Sequence, residues 1–328
     1  MRRCLCWSRA HLKLVLTLAV GILIVLVNAV AYLHAYSMTH FTQAGTRTSR
    51  PEDLSLLGKA NVLLTGVKIP KPVNETSPAA LGLPFEVQHF AGKEGIDLEA
   101  WYIPHADAKG LILMFHGYAT CKAALLPEAK ALHELGYALL LVDFRGSGGS
   151  SGSDTSIGFA EAEDVVAAVA LARGRWQQRP LVLFGRSMGS AAILRAIAVR
   201  GLEAEAIMLE CPFDRLLSTV ENRFTAMGVP SFPFARLLVF WGGVQGGFPA
   251  FTHNPVDYAE HAHCPVLLLH GRDDQRVSEA QAQRIFDRFP GPKQFERFDD
   301  VNHGSLYSAR PEQWTRSVRQ FLLSLGRF

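Results

Sequence analysis

The stretch LVLFGRSMGSAAILRAIAV, residues 181–199, changes its periodicity in the middle. Leu181–Phe184 is a short continuous apolar run, the pattern of a strand buried on both faces. From Met188 onward the apolar residues recur at three- and four-residue spacing, the pattern of a helix. Between the two stands Gly185-Arg186-Ser187-Met188-Gly189. A G-x-S-x-G in this setting predicts a tight strand–turn–helix bend. Both flanks need residues without bulk, because the central serine is held in a strained backbone conformation. The turn presents the Ser187 side chain at the carboxyl edge of a sheet. There it lies over a helix N-terminus, whose dipole favours developing negative charge.

The rhythm on either side agrees with this. Phe85–Phe90 and Asp97–Ile103 read as a hairpin turning through Gly92 and Gly95. The runs Leu111–Phe115, Ala138–Val142, Ala206–Leu209 and Val266–Leu269 read as further buried strands, and Gln294–Phe298 as a last one. Helical spacing covers 122–135, 157–173, 188–200, 278–289 and 311–325. Alternation of this kind predicts α/β architecture with a mostly parallel, doubly wound sheet. Residues 211–263 are too long for one crossover and hold 7 of the 20 phenylalanines, so they read as a helical lid insertion over the strand ends. Its phenylalanines either pack on one another or wall an apolar acyl site.

A serine hydroxyl is a weak nucleophile and needs an oriented base. Downstream, His270-Gly271-Arg272-Asp273-Asp274 follows a buried strand, and His303 lies in a loop beyond the last one. In the order Ser187, Asp274, His303, the carboxylate would hold the imidazole, which would take the serine proton and later return one to the leaving group. With this set the chain resembles the α/β-hydrolase superfamily of serine hydrolases, over roughly residues 85–325. The resemblance implies the α/β-hydrolase fold. It matches the family's H-G-x-x-D from His270 to Asp274, which selects Asp274 over Asp273. It also likens His116-Gly117 to the oxyanion loop, so that the backbone N–H groups of Tyr118 and Met188 would bind the oxyanion. Asp143 to Ser150 resembles the family's D-x-R-G-x-G-x-S turn. Within the superfamily the chain looks most like the membrane-anchored abhydrolase-domain hydrolases, which join one N-terminal anchor to a compact catalytic domain.

The formal charge of +3, from 33 Lys+Arg against 30 Asp+Glu, is concentrated at one end. Arg2, Arg3, Arg9 and Lys13 precede any acid, and the remaining 315 residues carry 29 bases against 30 acids. The domain has no basic run interleaved with aromatics, so no nucleic-acid partner is expected. Residues 14–33 are apolar except for Thr17, Gly21 and Asn28, and 20 helical residues span a hydrocarbon core of roughly 30 Å. With the basic residues before it, this stretch predicts a single-pass membrane protein with a cytosolic N-terminus and an exported catalytic domain, whether periplasmic, lumenal or extracellular. The organisation expected is a basic tail at 1–13, a signal anchor at 14–33, a stalk at 34–80 and a hydrolase domain at 81–328. Ala29-Val30-Ala31 has the form of a signal-peptidase site, but the apolar run continues past it, which favours an uncleaved anchor.

Other residues carry less. Cys4 and Cys6 fall on the cytosolic side, and Cys121, Cys211 and Cys264 imply no disulfide framework. His261, His263 and Cys264 lack a second ligand pair at zinc spacing, so no metal is expected there. Asn74-Glu75-Thr76 is a glycosylation sequon. Glycines 146, 148, 149 and 152 do not form a dinucleotide fingerprint. His116 and His270 read as structural, Glu161, Glu163 and Asp164 as acids at a helix start, and Asp299 and Asp300 as solvated. Glu210 reads equally as structural or as pocket lining. The expected activity is cleavage of a carboxylic ester or related acyl bond on a small or lipid-like substrate, in the carboxylesterase/lipase class, without metal or organic cofactor. The alternatives are a thioesterase or peptidase on the same three residues, and a catalytically silent, membrane-tethered binding protein.

Overall fold

The apolar runs close into one eight-stranded sheet in a computed structural model of the chain, which describes residues 2–48, 54–176 and 180–326. The side chains of Arg2, Arg3, Arg9, Cys4 and Cys6 lie outside the described residues, as does Pro51. The strands are β1 Glu86–Ala91, β2 Asp97–Ile103, β3 Leu111–Phe115, β4 Ala138–Val142, β5 Leu181–Arg186, β6 Ala206–Glu210, β7 Val266–Gly271 and β8 Lys293–Phe298. Their order is β1-β2-β4-β3-β5-β6-β7-β8. β2 runs antiparallel to both of its neighbours, and the pairs from β4 to β8 are parallel.

The helices are α1 Arg2–Thr39, α2 Leu56–Thr65, α3 Leu126–Glu134, α4 Glu161–Arg175, α5 Met188–Arg200, α6 Leu216–Ala226, α7 Phe234–Gly246, α8 Pro255–Tyr258, α9 Glu279–Arg288, α10 Leu306–Ala309 and α11 Pro311–Ser324. Alternate strand residues feed two cores, as the two-residue period of a strand requires. Leu111, Leu113 and Phe115 face α4, α5 and α9 through Val165, Ile193 and Ile285. Ile112 and Met114 face α3 and α11 through Ala129, Trp314 and Phe321. From β3 the chain winds to β4 on one side, and from β5 it winds to β6 on the other. In an open α/β sheet the crevice beyond the carboxyl ends of such neighbouring strands is where ligands bind.

Beside this point a buried ion pair shapes the loops. Asp143 accepts from Lys122 N at 2.7 Å and Gly149 N at 2.9 Å, and it pairs with the Lys122 ammonium. Both side chains are fully buried, and Lys122 also bonds Glu99 at 2.6 Å. Asn74 Nδ2 donates to Asp143 Oδ2 at 2.8 Å, so the sequon asparagine spends its amide inside the fold.

The segment expected as a stalk is tied to the domain. Phe41 N donates to Ser153 O at 2.6 Å, Thr155 N to Thr39 O at 2.9 Å, and Lys71 Nζ to Ser150 O at 2.7 Å. Within α1, Ala10–Thr39 is long and apolar enough to cross a membrane. Leu14–Leu26 is exposed all round, whereas Ala31, Ala35 and Thr39 are buried. That face meets α7, where Trp241 Nε1 donates to Asn28 Oδ1 at 3.2 Å and Gln245 Nε2 to Tyr32 O at 2.9 Å. Tyr32 and Trp241 also make an edge contact at 5.4 Å. Asn28, the polar break in the apolar run, is therefore a docking residue.

The lid phenylalanines divide into two groups. Phe213 and Phe248 are buried with Leu216, Val239 and Val277, while Phe232, Phe240 and Phe251 point outward and are exposed.

Candidate active site

Ser187 follows β5 directly and caps α5 with φ 51° and ψ −108°, a strained conformation for a residue with a side chain. The flanking glycines explain how the turn closes. A Cβ at Gly189 would run into the carbonyl of Phe115, and one at Gly185 would lie 2.6 Å from Gly189 C and Ser190 N. The bend is further held by Ser187 N donating to Glu210 O at 2.7 Å and Ser190 Oγ to Gly185 O at 2.6 Å.

The two downstream residues converge on this serine. His303 Nε2 is 3.2 Å from Ser187 Oγ, and His303 Nδ1 is 2.6 Å from Asp274 Oδ2. The carboxylate fixes the proton on Nδ1, which leaves Nε2 to accept from the serine hydroxyl. The other oxygen, Oδ1, accepts from Arg276 N at 2.8 Å and Val277 N at 2.9 Å. Burial alone would raise the Asp274 carboxyl. The hydrogen bond and charge of His303, with the Val277 N–H, hold it below its ordinary range. Asp273 is exposed, and Asp299 and Asp300 pair at the surface with Arg272 and Arg310.

The loop after β3 comes alongside. A Cβ on Gly117 would stand 3.7 Å from Ser187 Cβ. Tyr118 follows it, and Met188 N is the first N–H of α5, one of those a helix leaves without an internal partner. His116 stabilises the loop. Its Nε2 accepts from Phe144 N at 3.1 Å, so Nδ1 carries the proton and donates to Gly117 O at 2.8 Å. Burial pushes its pKa down, in keeping with a neutral ring. His270 likewise bonds backbone, with Nε2 3.0 Å from Val277 O.

The family model described as serine aminopeptidase S33 matches residues 106–236. The chain is 27% identical over 234 residues to the uncharacterized protein YqkD of Bacillus subtilis, covering 70% of this chain and 76% of that protein. It is 26% identical over 257 residues to the lysophosphatidylserine lipase ABHD12 of Danio rerio, covering 69% and 64%. An esterase of Pyrococcus furiosus superposes with a TM-score of 0.66 at 23% identity, over 78% of this chain and 96% of that one. The fold is the α/β-hydrolase fold, and the sequence likenesses run to proteins of that superfamily. Hydrolases stand among the proteins it resembles.

Two features of the site escape a reading of the sequence. The first is an ionic network behind the serine. Arg186 pairs with Glu210 at 3.0 Å and with Glu128, which also takes the Ser305 hydroxyl. Glu210 receives Trp314 Nε1 at 3.2 Å and Leu306 N at 3.3 Å. Burial pushes the Glu210 carboxyl up to about 7, opposed by Arg186. Glu210 thus belongs to the structure that ties the serine turn to the loop of His303. An arginine at the variable position of G-x-S-x-G was the only available signal.

The second feature is Cys211, whose thiol joins Asp274 and His303 in a group of ligand atoms within 4.8 Å of one another. Burial raises that thiol well above its ordinary range, and Asp274 is committed to His303. This chemistry disfavours the thiolate that a soft metal would need. Among the described residues, His261, His263 and Cys264 do not gather into a ligand group.

Proposed function

We propose that this hydrolase is a membrane-anchored serine enzyme that cleaves carboxylic ester or related acyl bonds through an acyl-enzyme on Ser187. The observation that carries the reading is the continuous contact from Asp274 through His303 to Ser187, at 2.6 and 3.2 Å. His303 takes the Ser187 proton as the oxygen attacks the acyl carbon, and Asp274 stabilises the imidazolium that forms. The N–H groups of Tyr118 and Met188 take the developing oxyanion, each contributing about 3–4 kcal/mol in the transition state. His303 then gives its proton to the leaving oxygen, and water completes the cycle through the same base. The lipase and esterase names among the relatives, together with the apolar N-terminal helix, favour a small or lipid-like acyl substrate. By the placement of its basic residues, α1 crosses the membrane with the domain on the exported side.

A fluorophosphonate probe is expected to label the full chain at Ser187, and Ser187→Ala to lose both labelling and esterase turnover. Labelling that persists in Ser187→Ala overturns the assignment, and a folded wild-type chain that never labels favours a silent binding protein. The aminopeptidase description of the matched family supports a second reading, amide cleavage by the same residues. Turnover of aminoacyl anilides in preference to p-nitrophenyl esters would select it.

A further inference from the structure

The outer surface of the lid plays no part in the chemistry above. From Phe224 to Val256 the sequence holds one formally charged residue, Arg236. What this stretch turns outward is large and apolar. Phe232 is 73% exposed, and Met227, Phe234, Phe240, Val244 and Phe251 are also exposed. An apolar groove of about 430 Å³ opens on the same surface between Val239, Gly243, Val244, Phe248 and Phe251. Surfaces of this kind mark a contact with something other than water.

The partner follows from what the neighbouring face of the same helix touches. α7 docks on α1 at Asn28 and Tyr32, both within the apolar run 14–33. Asn28 stands five residues before Leu33, which is about 7–8 Å along a helix axis. A helix fixed at that level beside a membrane-crossing helix meets lipid, not water, on the side that packs against neither that helix nor the domain. The depth is that of amphipathic helices lying in a bilayer interface, about 5–10 Å. Tyr32, Tyr36 and Trp241 then fall where aromatic side chains gather at the headgroups. The exposed Arg236 side chain is long enough to reach lipid phosphates while its stem stays in apolar surroundings.

We propose that α7 and the preceding loop, residues 227–233, are seated in the lipid leaflet alongside α1, with Phe232 and Phe240 among the acyl chains. The proposal rests on the reading that α1 crosses the membrane. It adds that the catalytic domain meets the bilayer through its lid, and does not merely hang from a tether.

The test uses the full chain with Cys4→Ser and Cys6→Ser, in which the remaining thiols are mostly buried. An environment-sensitive fluorophore is placed in turn at Phe232→Cys, Phe240→Cys, Val20→Cys and Val199→Cys, and the signal of the chain without an added cysteine is subtracted. Each protein is reconstituted in phosphatidylcholine vesicles containing lipids spin-labelled either near the headgroup or near the chain end. Retained fluorophosphonate labelling establishes that each variant is folded. The probes at positions 232 and 240 are expected to lose emission most with the label near the headgroup. The probe at 20 should respond most to the label near the chain end, and the probe at 199 on the far side of the domain to neither. Quenching at 20 without quenching at 232 and 240 overturns the seating of the lid while leaving the anchor intact. Absence of quenching at all four positions overturns the crossing of α1 and the lid proposal together. Quenching at 199 equal to that at 232 overturns the assigned face.

Discussion

At the scale of single residues, the serine turn shows how closely the backbone is packed around the chemistry. Gly189 lies against the carbonyl of Phe115, with no space for a methyl group. Gly189→Ala is expected to cost about 2–3 kcal/mol by overpacking, read as a fall in the urea midpoint at unchanged slope. An unchanged midpoint would mean that the turn relaxes freely. Asp274→Asn keeps the shape of the site but offers an amide where His303 needs a carboxylate. Its kcat should fall by about 10³- to 10⁴-fold with KM little changed, and a loss confined to KM would remove Asp274 from the relay. Ser187, Asp274 and His303 were legible in the sequence because each follows a recognisable strand, in a fixed order. The Arg186 network was not, since its partners Glu128 and Glu210 lie 58 and 24 residues away and no local pattern marks them.

At the scale of elements, strands buried on both faces announce themselves, and the observed β3, β4, β6 and β7 fall on the apolar runs within two residues at either end. Helix limits were harder where side chains replace helical turns. The helix expected from 157 begins at Glu161, because that carboxylate accepts from Ser156 N at 3.0 Å and Gly158 N at 2.9 Å and holds the preceding loop open. Glu161 is thus fully buried, and it does more than complement a dipole. α2 lay hidden within the expected stalk, and α10 is too short for periodicity to reveal. Within the lid, His253 is wedged edge-on against Phe159, Phe213 and Phe248, with Nε2 3.0 Å from Ile157 O. Burial lowers its pKa from the ordinary 6.5 to about 4. Between those values the unfolded chain binds the proton and the folded one does not. Stability from this group is therefore complete above about pH 6.5 and declines as pH falls towards 4, by about 3 kcal/mol in all. Urea midpoints at pH 7 and 4.5 should draw apart more for the wild type than for His253→Asn. Equal acid sensitivity in the two would rule the group out as the cause.

At the scale of the whole molecule, charge and hydropathy located the apolar N-terminal helix but not its packing. The contacts that join α1 to the domain include Asn28, Tyr32, Met38 and Thr39, the last three through backbone carbonyls that no side-chain pattern betrays. The Tyr118 hydroxyl donates to Met38 O at 2.5 Å, and Arg47 reaches Ala119 O at 3.3 Å, so the end of α1 braces the loop beside Ser187. A chain beginning at Thr39 would lose that brace and uncover the Trp241 side of α7. It is expected to self-associate in light scattering unless detergent is present, and a monodisperse, fully active detergent-free domain would refute this. The burial of Ala31 has a further consequence, for biosynthesis. Leader-removing peptidases read their substrates as extended strands, yet Ala29-Val30-Ala31 is helical, with Ala31 at 5% exposure against the domain. Scission there must come before docking or wait for α1 to unwind. Docking of α1 thus shields Ala29-Val30-Ala31 from any peptidase that needs an extended chain.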